Sequence, residues 1–207
     1  MAGQRLTTTS YALLALLAVR SWTTYELAQQ MERSMRWYWP RAASVVYEEP
    51  KRLVERGLAT ASQEYTGRRP RTVYAITEAG RAALRRWFDE PAAGPVMEFE
   101  GLLKVAFSSL GERRQLLATL RAIVEDAERR HQVALAQAAD YRETGGPYPD
   151  RLPVIALSAK LLLEQTELLL RWARWAEQEV QSWSGVTPQT GASVPGDAFS
   201  LGWKAGT

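Results

Sequence analysis

Along this 207-residue chain the apolar positions follow first a helical period, then a strand-like one, then a sustained heptad. Leu13, Leu14, Leu17 and Ala18 predict a first helix, capped by Thr8 or Thr9. Thr23 and Glu26 stand at capping-box spacing around Tyr25, with Leu27 and Met31 following, and open a second. Pro40 marks a break before a third helix over 42–56, which Gly57 stops. Leu58–Tyr65 and Thr72–Ile76 read as strands, joined by a turn in which Gly67 and Pro70 supply the chemistry. Thr77 or Glu78 starts a fourth helix that ends near Asp89.

Pro91–Pro95 is a hinge by composition, and everything beyond it reads as helix. A short helix covers about 97–108. Leu117, Leu120, Val124, Ala127, His131, Ala134, Ala138 and Tyr141 then alternate three and four apart, a heptad seam. After Gly145-Gly146-Pro147 a second seam runs from Ile155 through Thr166 and Ala173 to Trp183. Leu161, Leu168, Trp172 and Trp175 add another apolar stripe to this last helix. One chain has too little to cover both stripes, which implies a second copy. His131 on the seam reads as a packed residue rather than a ligand.

The fold class expected is mainly α with a small β-wing. It has an N-terminal winged helix-turn-helix at 1–90, a hinge at 91–95, a helical dimerisation and effector domain at 96–183, and a disordered tail at 184–207. That tail holds Phe199, Leu201 and Trp203. Three helices followed by a two-stranded basic loop suit double-stranded DNA. A helix fits the major groove and reads base edges, while the loop projects beside it.

Charge sharpens this reading. Residues 1–90 hold 14 Lys/Arg against 9 Asp/Glu, a net +5, while 91–207 hold 12 against 14, a net −2. Arg68, Arg69 and Arg71 crowd one turn, where they repel each other until an anionic backbone relieves them. Other chemistry finds little support. The sequence has no Cys and one His, so disulfides and Cys-based or His-pair metal sites are excluded. It has no Gly-rich phosphate loop and no nucleophile elbow, so neither an enzyme nor a cofactor is expected. The longest apolar run, Tyr11–Val19, falls far short of the ~20 residues that span a bilayer. No signal-peptide pattern precedes or follows that run, so a cytoplasmic protein without a membrane partner is expected.

Several motifs occur in order: Thr8–Leu17, Thr24-Tyr25-Glu26-Leu27, Val46-Tyr47, Lys51-Arg52-Leu53, Gly57-Leu58, Gly67-Arg68-Arg69 and Val73 through Gly80. Over residues 6–90 they resemble PadR-type transcriptional regulators. The helical remainder is similar to the dimerisation domain of the long-tailed PadR branch, the virulence activator group related to AphA. The resemblance implies a dimeric bacterial regulator, usually a repressor, of a palindromic operator, often released by a small molecule. Glu48-Glu49-Pro50 stands where that family commonly has an aliphatic residue.

On this reading Arg41, Ser44, Tyr47 and Lys51 form the exposed face of the third helix, with Tyr47 and Lys51 on phosphate. Thr24 and Tyr25, at the start of the second helix, touch the DNA backbone, and Arg68, Arg69 and Arg71 enter the groove beside the wing. Simple packing in the three-helix core is the alternative for both tyrosines. Glu48 and Glu49 repel phosphate or accept from cytosine N4. Pro50 shares a face with Val46 and Leu53, so it points into the core despite its missing N–H.

Eight Trp and eight Tyr are many for this length. Trp37, Trp39, Trp172 and Trp175 are candidates for the wall of an effector site that takes an aromatic or cationic molecule; the alternative is aromatic packing of core. Two further readings stay open. One is a winged helix that recognises protein rather than DNA, and the other is a DNA-binding regulator with no effector. If the wing contacts phosphate, Arg68→Ala weakens binding to all DNA sequences alike and flattens the slope of log K against log salt by about one unit. An unchanged slope in a salt titration excludes that contact.

Overall fold

Leu13, Leu14 and Leu17, the residues that announce the first helix, are almost wholly buried at the centre of the N-terminal core. The computed structural model describes residues 5–36, 38–39, 43–66 and 69–198, leaving aside the side chains at 43, 44, 66 and 69. The chain divides into two units, Met1–Pro95 and Val96–Thr207. The first unit contains α1 (Thr8–Val19), β1 (Trp22–Thr23), α2 (Thr24–Met35), α3 (Ala43–Glu55), β2 (Ala59–Thr66), β3 (Arg69–Ile76) and α4 (Glu78–Asp89).

Local chemistry explains each boundary. Thr7, not Thr8 or Thr9, caps α1, because Thr7 and Ser10 exchange side-chain and backbone hydrogen bonds across the first turn. Thr23 and Glu26 do the same for α2, as their spacing predicts. Those bonds, with the backbone N–H of Thr23 foremost, hold the Glu26 carboxyl below the usual carboxylate range. Gly57 ends α3 with φ of +69°, a conformation that L side chains resist. Pro50 stays inside α3 and is fully buried, alongside Val46 and Leu53.

The sheet has three strands rather than two, in the order β1-β3-β2, all antiparallel. The extra strand is only two residues long. It is fixed by Trp22, whose ring is buried and whose Nε1–H donates to the Leu16 carbonyl at 2.7 Å. Gly80 brings α4 against this layer. A Cβ there would lie 2.2 Å from the Leu58 carbonyl oxygen and 2.8 Å from Ile76, so only glycine permits the approach.

The second unit contains α5 (Glu100–Ala106), α6 (Arg113–Thr144) and α7 (Leu152–Ser182), with 3-10 turns at Ser108–Leu110, Pro149–Arg151 and Pro188–Thr190. α5 is shorter than the pattern over 97–108 suggests, and residues 91–99 carry no regular structure. At 1.5 Å per residue α6 is about 48 Å long. α6 and α7 run antiparallel. Arg113 donates to the Val180 carbonyl, Arg121 pairs with Glu177, and Arg174 pairs with Glu128. Farther along, His131 Nδ1 stands 3.1 Å from Thr166 Oγ1, joining the two seams as a packed residue. The Thr166 hydroxyl donates to the Leu163 carbonyl, so it accepts from the histidine ring. The buried part of the seam is local: Leu116, Leu117, Leu120 and Ile123 close on Ala173, Ala176 and Val180.

Residues 184–198 differ from the tail expected of them. The Ser184 N–H donates to the Gly191 carbonyl, and Val186 packs on the core of this unit. Small residues make that return turn possible, Gly191 with φ of +98° among them. Phe199, Leu201 and Trp203 lie outside the described residues. Among the described residues no helix is long and apolar enough to cross a membrane, and no group of His, Cys, Asp or Glu could hold a metal.

Candidate functional site

α3 has two faces. Val46, Glu49, Pro50 and Leu53 are buried, whereas Val45, Tyr47, Glu48, Lys51 and Arg52 reach solvent. Tyr47 is 41% exposed and Tyr25 is 62% exposed, which rejects core packing for both and leaves them free for a partner. Tyr25 and Thr24 stand in the first turn of α2, where the Tyr25 hydroxyl accepts from Gln29 Nε2.

Glu48 and Glu49, adjacent on α3, part company. Glu49 cannot meet a base or repel a phosphate, because it is buried. It accepts a hydrogen bond from the Ser10 hydroxyl of α1, and Arg52 lies 3.6 Å away on its outer side. The residue before it on the same turn of α1, Thr9, accepts from Trp39 Nε1 at 3.3 Å. The first turn of α1 therefore holds both α3 and the segment leading towards it. The sequence pattern treats Glu48 and Glu49 alike, and only the register of α3 on α1 separates them. Glu48 is exposed and lies 2.9 Å from Lys51 Nζ, and this pairing raises the Lys51 pKa.

The wing is the β2–β3 hairpin. Arg71 faces Glu64 across the two strands, with Nη2 to Oε2 at 2.8 Å. Tyr65, opposite Pro70 near the outer end of the hairpin, is 71% exposed. Its place in the sequence gives only one signal of this, an aromatic residue so far along a strand that it has little core left to meet. Arg41 and Arg68 lie outside the described residues, as do the side chains of Ser44 and Arg69.

The aromatic candidates separate as well. Trp37 lies outside the described residues, and Trp39 belongs to the first unit. Trp172 and Trp175 do come together. With Trp183, Val105, Leu116 and Leu120 they line a cavity of about 210 Å³ within the second unit. Pro195 of the returning segment and Glu179 also line it. Trp172 packs edge-on against Phe99, with ring centroids 6.4 Å apart. Trp183, on the same aromatic stripe of the sequence, carries a buried Nε1–H with no acceptor among the described residues.

A three-helix core, a recognition-type third helix with one solvent face and a basic antiparallel hairpin define a winged helix-turn-helix protein. Residues 13–86 match the model of the transcriptional regulator PadR-like family. Over 82 residues the chain is 32% identical to the probable transcriptional regulator Rv1176c of Mycobacterium tuberculosis, which is 39% of this chain and 43% of that protein. The chain thus spans less than half the length of the curated relative it matches. Its fold is similar to that of Bacillus subtilis PadR in complex with operator DNA, with a TM-score of 0.73 at 18% identity, covering 84% of this chain and 99% of that one. The same Bacillus protein with p-coumaric acid matches with a TM-score of 0.62 at 17% identity, covering 87% and 99%. The Vibrio cholerae virulence activator AphA matches with a TM-score of 0.64 at 24% identity, covering 83% and 97%.

The Ser10–Glu49 link gives a test of what holds α3. Ser10→Ala leaves a buried carboxylate without its hydroxyl donor and is expected to lower stability by about 1–3 kcal/mol. Urea unfolding at neutral pH measures it, and a midpoint equal to that of the parent would show that the link contributes nothing.

Proposed function

We propose that this chain is a sequence-specific DNA-binding regulator of transcription. It acts as a homodimer on a palindromic operator, as a repressor released by a small molecule. The observation that carries the reading is the solvent face of α3 beside the hairpin bearing Arg71, on a fold similar to that of a PadR solved with operator DNA.

Roles follow from position. Arg41 and Ser44, at the start of the third helix, are left for base edges, while Tyr47 and Lys51 take phosphates. Thr24 and Tyr25 meet the backbone at a helix N-terminus, where N–H groups favour anions. Arg68, Arg69 and Arg71 serve the groove beside the wing. A second copy is supported by α7, where Val154, Leu157, Leu161 and Leu168 repeat along one side and are each more than half exposed. Burying such a stripe in a two-fold dimer sets two recognition helices about one DNA turn, ~34 Å, or a small multiple of it apart. A molecule bound in the second unit would release DNA by changing that spacing through the 91–95 segment.

The experiment is a gel-shift titration at two salt concentrations on DNA upstream of the gene, with the parent chain and an Arg68/Arg69/Arg71 triple alanine variant. Salt-sensitive, competitor-resistant binding that the variant loses is the expected result. Failure across a library of genomic fragments would instead favour a winged helix that recognises protein. A second variant reads the α3 surface. Glu48→Gln frees Lys51 from its 2.9 Å partner. It is expected to tighten binding to arbitrary duplex and steepen the salt slope by up to about one unit. An unchanged slope would place Lys51 away from the backbone.

A further inference from the structure

We infer that the cavity between α5, α6 and α7 binds a small aromatic amine in its cationic form. This deepens the effector part of the function proposed above by naming a chemical class. The cavity, about 210 Å³, has room for one substituted benzene ring. Its walls are indoles and aliphatic side chains, and its charged group is Glu179. Trp175 and Glu179 stand four residues apart on one side of α7, and Trp183, the residue that ends the helix in extended conformation, lines the same cavity.

Neighbouring charged residues of α7 find partners on α6, Arg174 with Glu128 at 2.6 Å and Glu177 with Arg121 at 2.9 Å. Glu179 has no such ion pair among the described residues, and no Lys or Arg is found among the lining residues. A carboxylate beside an apolar wall favours an arriving cation, and the faces of tryptophan rings attract the same charge. An aromatic acid meets the opposite situation, because its carboxylate would be brought beside Glu179 with no cation to hold it. The expected ligand therefore differs in charge from the p-coumaric acid bound by the Bacillus protein. The Trp183 ring lines the same wall, with its Nε1–H buried and without an acceptor among the described residues.

Three probes of nearly equal size separate these terms: tyramine as the cation, tyrosol as the neutral alcohol, and 3-(4-hydroxyphenyl)propionate as the anion. Isothermal titration of the full chain at neutral pH should show tyramine binding about tenfold more tightly than tyrosol, with the acid weakest. Glu179→Gln, at a partly buried position where the shape is kept, should reduce tyramine to the level of tyrosol. Trp175→Leu should weaken both, and circular dichroism verifies that each variant is folded. Three results overturn the inference: the acid binding as tightly as the amine, an unchanged preference in Glu179→Gln, or no saturable tyramine binding in the millimolar range. The last is what a cavity closed by a second copy would give. The titration contains no DNA, so its outcome is independent of whether the chain binds an operator.

Discussion

The hydrogen bond from Ser10 to Glu49 ties the helix that presents side chains to solvent onto the helix that anchors the N-terminal core. Much of the first unit depends on this junction. α3 contains a proline at position 50 and so lacks one of its own backbone bonds there. It is kept in place instead by what its inner face meets: the fully buried Leu53 and Pro50, and a carboxylate with a hydroxyl on one side and Arg52 on the other. Buried polar groups cost free energy unless satisfied, so this pair restricts how α3 can slide or roll on α1. The exposed register of Tyr47, Glu48 and Lys51 follows from that restriction.

Much of this was legible in the sequence, and for identifiable reasons. Periodicity located α1, α2, α4, α6 and α7, because each has an apolar stripe with a polar or glycine boundary. The Thr23–Glu26 capping box and the Gly57 stop acted over a few residues, so local reading found them. The inward turn of Pro50 was also visible from its spacing with Val46 and Leu53. The misses are long-range. β1 is two residues long and exists only because β3 passes beside Trp22. Glu49 looks like Glu48 until α1 is brought against it. The fold-back of 184–198 depends on where the end of α7 meets its neighbours, which composition alone does not encode. At the candidate cavity, Trp172 and Trp175 stood out as an aromatic stripe, but Glu179 and Trp183 gained meaning only when α5 and α6 closed around them.

The two units solve different problems. In the first, a small sheet and four helices cover one another, with a core of leucines and Trp22. The second is a long hairpin of two helices whose buried contacts concentrate at one end, where α5 joins them. Toward the other end the seam is held by smaller or polar residues such as His131 and Thr166. Apolar side chains remain outside it along α7. A helix pair of this kind has a well-fixed end and a less fixed end, and the cavity lies at the fixed one.

The charge on α3 has a consequence for how such a molecule would find its target. Within 43–55 the charged side chains are Glu48, Glu49, Lys51, Arg52 and Glu55, so the helix has no cationic surplus of its own. Lys51 is already held by Glu48, and Arg52 lies beside Glu49. A surface like this gains little from an arbitrary stretch of duplex, whose attraction is almost wholly a matter of neutralised phosphates. On the proposed DNA-binding reading, encounters with wrong sequences would be brief, and the time spent in futile residence along a chromosome would fall. Discrimination would come as much from letting go quickly as from holding tightly.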